Sequence, residues 1–188
     1  MQLEQVRSAL DHSARIQLED QPMKSFASAI VLALLVGVSS ASTPRDYLVV
    51  ERSANVARPA EVVWKELGDF CYIGKLLDLT CSIEAGSGGV GTVRRLNDTI
   101  FEAMVARSPR SYTYSQPQGP RANIDYHGTL AVEAINERAS RIVYTIVLDS
   151  AKLPPGTDTE VYRKAIEDRF QKAVDRAKTL LEGRSDRP

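Results

Sequence analysis

Beyond residue 46 apolar and polar positions alternate in short segments, and only the last part of the chain shifts to a spacing near 3.6. Residues 47–56 read as a first strand, because their β-branched and aromatic side chains fit a pleated surface. Arg58-Pro59-Ala60 then opens a helix, since a proline near the first helical position lacks an N–H that would have no partner there. Val62, Val63, Trp64 and Leu67 make its apolar side and Gly68 can end it. Residues 69–77 read as a second short helix carrying Phe70, Ile73, Leu76 and Leu77. Six further strands are expected at 79–84, 92–96, 100–107, 112–115, 124–135 and 141–150. They are separated by the glycine-rich turn 86–91, by Asn97-Asp98, by Ser108-Pro109-Arg110, by a Pro/Gly loop at 116–121 and by 136–140. Gly86 to Gly91 leads into a strand and lacks the lysine and following helix of a phosphate loop, so it reads as a hairpin.

Residues 152–157 form a Pro-Pro-Gly linker before one long helix, 158–182. Thr157 and Glu160 have the spacing of a capping box. Tyr162, Ile166, Phe170, Ala173, Val174, Ala177 and Leu181 make one apolar stripe, and Gly183 suits the position just past the end. Successive strands joined by short turns pair antiparallel. A sheet of that size curls, its concave face needs a cover, and the long helix has the matching stripe. The expected fold is α+β: a curved antiparallel sheet of about seven strands wrapped on the C-terminal helix, with two short helices after the first strand.

The start of the chain departs from this pattern. Met23-Lys24 is followed by an apolar run over 26–38 and by Ser39-Ser40-Ala41, the small residues a signal peptidase reads. The run falls short of the roughly 20 residues of a membrane span. Residues 23–41 therefore read as a signal peptide, the domain as 42–183, and the protein as exported to the periplasm or medium with no stable membrane span after cleavage. Residues 1–22 are net acidic, the wrong sign for a signal's leading region. They read as a disordered, over-extended start, the alternative being a genuine cytoplasmic extension; 184–188 read as a frayed tail. In an oxidising compartment Cys71 and Cys81 can pair as a disulfide; the other reading is two small buried thiols.

Charge narrows the function classes. Lys plus Arg is 24 and Asp plus Glu is 24, a balance without the basic footprint of a nucleic-acid binder. With two cysteines and two histidines no zinc cluster can be assembled. No motif points to another metal or to a cofactor.

Several stretches carry a family resemblance: Ala60-Glu-Val-Val-Trp64, Gly68-Asp-Phe70, Gly91-Thr-Val-Arg94, Glu102, Ser111-Tyr-Thr-Tyr114 and Tyr126-His-Gly-Thr-Leu130. With the long final helix they resemble the START-like or SRPBCC superfamily, the helix-grip fold. Within it the chain is most similar to the polyketide cyclase/dehydrase group and its exported bacterial relatives, over residues 47–182. The resemblance implies a cavity between sheet and helix that takes a small hydrophobic molecule. Relatives often carry a Trp-His-Pro-like segment after the second helix, where this chain has Lys75-Leu-Leu-Asp-Leu79.

Alternation nominates the polar residues of such a cavity. Arg94 shares a face with Thr92 and Leu96, and Glu102 with Ile100 and Met104. If both faces point inward the two can meet, either to hold a carboxylate or enolate oxygen or as a structural ion pair. Tyr112, Tyr114, Tyr126 and Tyr144 offer rings with one hydrogen bond each, or ordinary sheet packing. His127 is a candidate general base beside Glu102, although it alternates with Tyr126 and so faces the opposite side. The reading that follows is an exported binding protein for a lipid-like, aromatic or polyketide-like ligand. The alternatives are a cyclase/dehydratase-like enzyme and an accessory protein that binds a partner of an exported redox system.

Overall fold

The computed structural model describes residues 46–183. The expected over-extended start at 1–22, the signal at 23–41 and the tail at 184–188 lie outside the described residues. The alternating segments become β1 (Tyr47–Val56), β2 (Cys81–Ala85), β3 (Val93–Leu96), β4 (Ile100–Ser108), β5 (Ser111–Gln118), β6 (His127–Asn136) and β7 (Ala139–Asp149). They form one antiparallel sheet in the order β1-β7-β6-β5-β4-β3-β2. Two short helices, α1 (Ala60–Leu67) and α2 (Ile73–Leu77), follow β1, and α3 (Thr159–Glu182) closes the chain. The helix-grip architecture of a curved sheet wrapped on a long C-terminal helix is thus present. Among the described residues no helix is long and apolar enough to cross a membrane.

Along most of the strands every second residue points to the inner face of the sheet and is buried. Leu48 and Val50 of β1, Leu130 and Val132 of β6, and Ile142, Ile146 and Leu148 of β7 meet the α3 stripe of Ile166, Phe170, Ala173, Val174, Ala177 and Leu181. α3 lies along β1 and also touches β7 and α2, while α1 packs on β6 and β7. Burying this contiguous apolar set is the main source of stability.

Several boundaries differ from the sequence expectation, each for a local reason. β5 runs through the expected loop to Gln118, because Gln116 and Pro117 together face the single residue Glu102 in a bulge. A proline, which cannot donate to the ladder, is tolerated there. β6 begins at His127 rather than at 124, because Asp125 adopts a left-handed φ of 48°. β2 begins at Cys81, after the left-handed residue Asp78 ends α2. α2 itself spans only Ile73–Leu77, and the Asp69 carboxylate accepts from the Cys71 N–H ahead of it. The cap of α3 is Asp158, not Thr157: its carboxylate accepts from the N–H groups of Glu160 and Val161. Gly183 ends α3 in the ordinary helical region, its N–H donating to the Thr179 carbonyl, so no left-handed residue is needed there.

Candidate functional site

The inner face of β3, β4 and β5 carries a polar group in an otherwise apolar interior. Arg94 and Glu102 stand opposite one another across β3 and β4, and both point inward. The Arg94 side chain is 0 % exposed and that of Glu102 5 %. Nε and Nη2 of Arg94 both donate to Oε2 of Glu102, at 2.8 and 2.6 Å. Nη1 donates to the carbonyl of Phe70, just before α2. The guanidinium carbon lies 4.0 Å from the ring centre of Phe70 and 4.5 Å from that of Tyr114, so aromatic rings cover the cation. Burial opposes the charge of Arg94, while Tyr112 and Glu102 favour it; the balance holds its pKa above the ordinary value.

Gln116 completes the network. Its amide donates to Oε1 of Glu102 at 3.2 Å, and its oxygen accepts from the Arg121 N–H at 2.8 Å. Sequence reasoning missed Gln116 because Pro117 made its surroundings read as loop. The bulge opposite Glu102 is what turns Gln116 inward, as such irregularities re-aim side chains next to sites.

The four tyrosines nominated from the sequence are all buried. The hydroxyls of Tyr114 and Tyr144 are 2.7 Å apart, and the ring of Tyr126 sits 6.2 Å from that of Tyr114. Tyr112 lies edge-on to Phe70 at 5.3 Å. Burial pushes the phenol of Tyr126 up to about 12 and those of Tyr114 and Tyr144 well above the ordinary value; Tyr112 is raised too, also by burial. Tyr114 fits because its β6 partner is Gly128: a Cβ there would come within 2.4 Å of the phenol ring and hydroxyl. His127 faces the other way. It is exposed on the outer face of the sheet, its Nδ1 3.0 Å from the Asp125 carbonyl oxygen, and takes no part in the interior group.

Beside this network is a cavity of about 20 Å³, lined by apolar Ile73, Leu77, Leu79 and Ile100 and by polar Glu102, Gln116, Arg121 and Arg169. That volume is room for about one water. The wide cavity expected between sheet and helix is taken up by Phe70, Phe170 and the tyrosines. Leu77 and Leu79, from the stretch where relatives carry a Trp-His-Pro-like segment, form the lip. A disulfide joins Cys71, ahead of α2, to Cys81, the first residue of β2, so the lip is fastened at both ends. Arg121 and Arg169 were not singled out from the sequence: Arg121 ends the expected loop at 116–121, and Arg169 lies off the apolar stripe of α3.

Solved structures with this fold include a protein of Nitrosospira multiformis, 22% identical, covering 74% of this chain and 100% of its own with a TM-score of 0.61. The Zhui aromatase/cyclase from Streptomyces sp. R1128 is 18% identical, with coverages of 74% and 96% and a TM-score of 0.62. A protein of Thermobifida fusca is 24% identical, with coverages of 71% and 95% and a TM-score of 0.58. At these identities the likeness shows the fold. No curated protein matches the chain. The model of the polyketide cyclase/dehydrase and lipid transport family matches residues 47–182, which is nearly the whole sheet-and-helix unit, and the chain belongs to that family.

Proposed function

We propose that this chain is an exported binding protein that holds a small hydrophobic molecule, lipid-like or aromatic, between the sheet and α3. The observation that carries the reading is a cavity that Glu102, Gln116, Tyr114 and Tyr126 line together with apolar Ile73, Leu77, Leu79 and Ile100, with Arg94 holding Glu102 from behind. Buried ion pairs add little stability over apolar residues of similar volume, whereas a few fixed polar groups in an apolar pocket orient a ligand. Ligand sites usually measure a few hundred Å³, so loading requires the lip at α2 to move outward. The five-residue α2, tethered by the disulfide, is the element suited to that. The family description includes lipid transport, which supports an apolar ligand. Export is supported by the 23–41 segment and by the Cys71–Cys81 disulfide, a bond that persists in oxidising compartments.

A cyclase- or dehydratase-like reaction is the second reading, favoured by the paired Tyr114 and Tyr144 hydroxyls as donors toward a carbonyl oxygen. Glu102, held by Arg94 and Gln116, and His127, on the outer face, are poorly placed as its base.

The test is native mass spectrometry of the full chain expressed with export, followed by organic extraction. The binding reading expects a co-purifying apolar adduct, or uptake of the neutral dye N-phenyl-1-naphthylamine that an Ile100→Arg substitution in the cavity wall abolishes. A chain that arrives empty and takes up no dye overturns it.

A further inference from the structure

The charges around the cavity do not cancel. Both oxygens of Glu102 are occupied, by Arg94 and by Gln116. Two further cations border the same cavity, Arg121 and Arg169. The Nε of Arg121 is buried and makes no hydrogen bond; its guanidinium lies 5.2 Å from the ring centre of Tyr126. Arg169 has no carboxylate within ion-pair distance among the described residues. Outside the lip, a groove of about 400 Å³ runs along the seam of α2 and α3. It shares Leu77 and Arg169 with the cavity and adds Leu76, Lys172 and Arg176. Its two acids are matched: Asp168 by Lys164 at 2.7 Å and Asp78 by Arg176 at 3.9 Å. Groove and cavity thus meet at Leu77 and Arg169, where Arg169 and Arg121 bring positive charge that no carboxylate of the groove answers.

We propose, building on the binding function above, that the ligand is an amphiphile with one carboxylate, received at the cavity mouth by Arg121 and Arg169 while its apolar body passes Leu77 and Leu79 inward. A desolvated donor without a partner favours an anion over a neutral group. A planar carboxylate matches the fork of a guanidinium and is the smallest anionic end that does so. Arg94, already saturated by Glu102 and the Phe70 carbonyl, is left as a positioning residue that holds the floor of the site.

The experiment compares acids with neutral amides of the same shape: octanoate with octanamide, and 2-naphthoate with 2-naphthamide, titrated calorimetrically into the full chain. The expected result is a preference for the acid of at least about tenfold, the size of one charge-assisted hydrogen bond. Arg169→Gln, on the exposed side of α3, keeps the fold by circular dichroism and reduces that preference. Arg121→Gln with Arg169→Gln removes it. Equal binding of acid and amide overturns the carboxylate assignment and leaves the apolar-ligand reading standing. A preference that survives both substitutions overturns the role of these two arginines. Failure of all four probes to bind overturns the assignment together with the binding function beneath it.

Discussion

Arg94 shows how much rests on one side chain. An arginine at 0 % exposure is tolerable only because every direction it faces is answered: carboxylate, carbonyl and two aromatic faces. Removing one partner exposes the cost of burying the other. Arg94→Met is expected to destabilise the domain by about 3–5 kcal/mol in urea unfolding, because Glu102 stays buried with its main partner gone. The double change Arg94→Met with Glu102→Leu is expected to recover most of that loss. A double variant as unstable as the single one would mean that packing rather than charge holds the site. Alternation made the meeting of Arg94 and Glu102 legible in the sequence as a possibility, since each stood two residues from an apolar neighbour on the same face. Gln116 was not legible, because its direction depends on a bulge that exists only once β4 and β5 pair. Gly128 was quoted only inside a motif; its importance lies in the space Tyr114 occupies above it.

At the scale of elements, the sequence showed the strands and helices but not their ends. Hydrophobic periodicity fixes which segment is strand or helix, while ends depend on single residues whose backbone or side chain does something local: Asp125, Asp78, Pro117, Asp158. The same applies to α2, whose turn-forming flank at Asp69 resembles a helix start in sequence. Its role as the lip depends on the Cys71–Cys81 bond. Replacing both cysteines with serine is expected to lower stability by about 2–3 kcal/mol, the entropy released by opening a loop of this size. Hydrogen exchange is expected to speed up over residues 71–81 while β5 to β7 stay protected. Uniform loosening of the whole sheet would show instead that the bond supports the core and not the lip.

Across the whole molecule, burial of phenols sets a pH limit. Four of the seven tyrosines keep their protons in the folded state beyond the ordinary range. In the unfolded chain they ionise near 10. Above that pH the unfolded state binds fewer protons than the folded one, so stability falls as pH rises. The contribution is whole below about pH 10 and is lost as pH rises through the folded value of about 12 at Tyr126. Phenolate absorbance followed against pH is expected to show the four buried phenols appearing together with loss of the circular dichroism of the fold. Seven smooth ionisations near the ordinary value would contradict the buried cluster.

The strand order carries one more consequence. β1 pairs along its whole length with β7, from Tyr47 opposite Asp149 to Val56 opposite Ser140, while every other pairing joins neighbours in sequence. Closing that contact spans on the order of 100 residues of chain, a larger entropic cost than any hairpin in the sheet. A chain leaving the ribosome amino end first therefore has no partner for its opening strand until the last strand is made. Throughout most of its synthesis β1 remains an unpaired segment for chaperones to hold, and folding is completed by the part of the chain that arrives last.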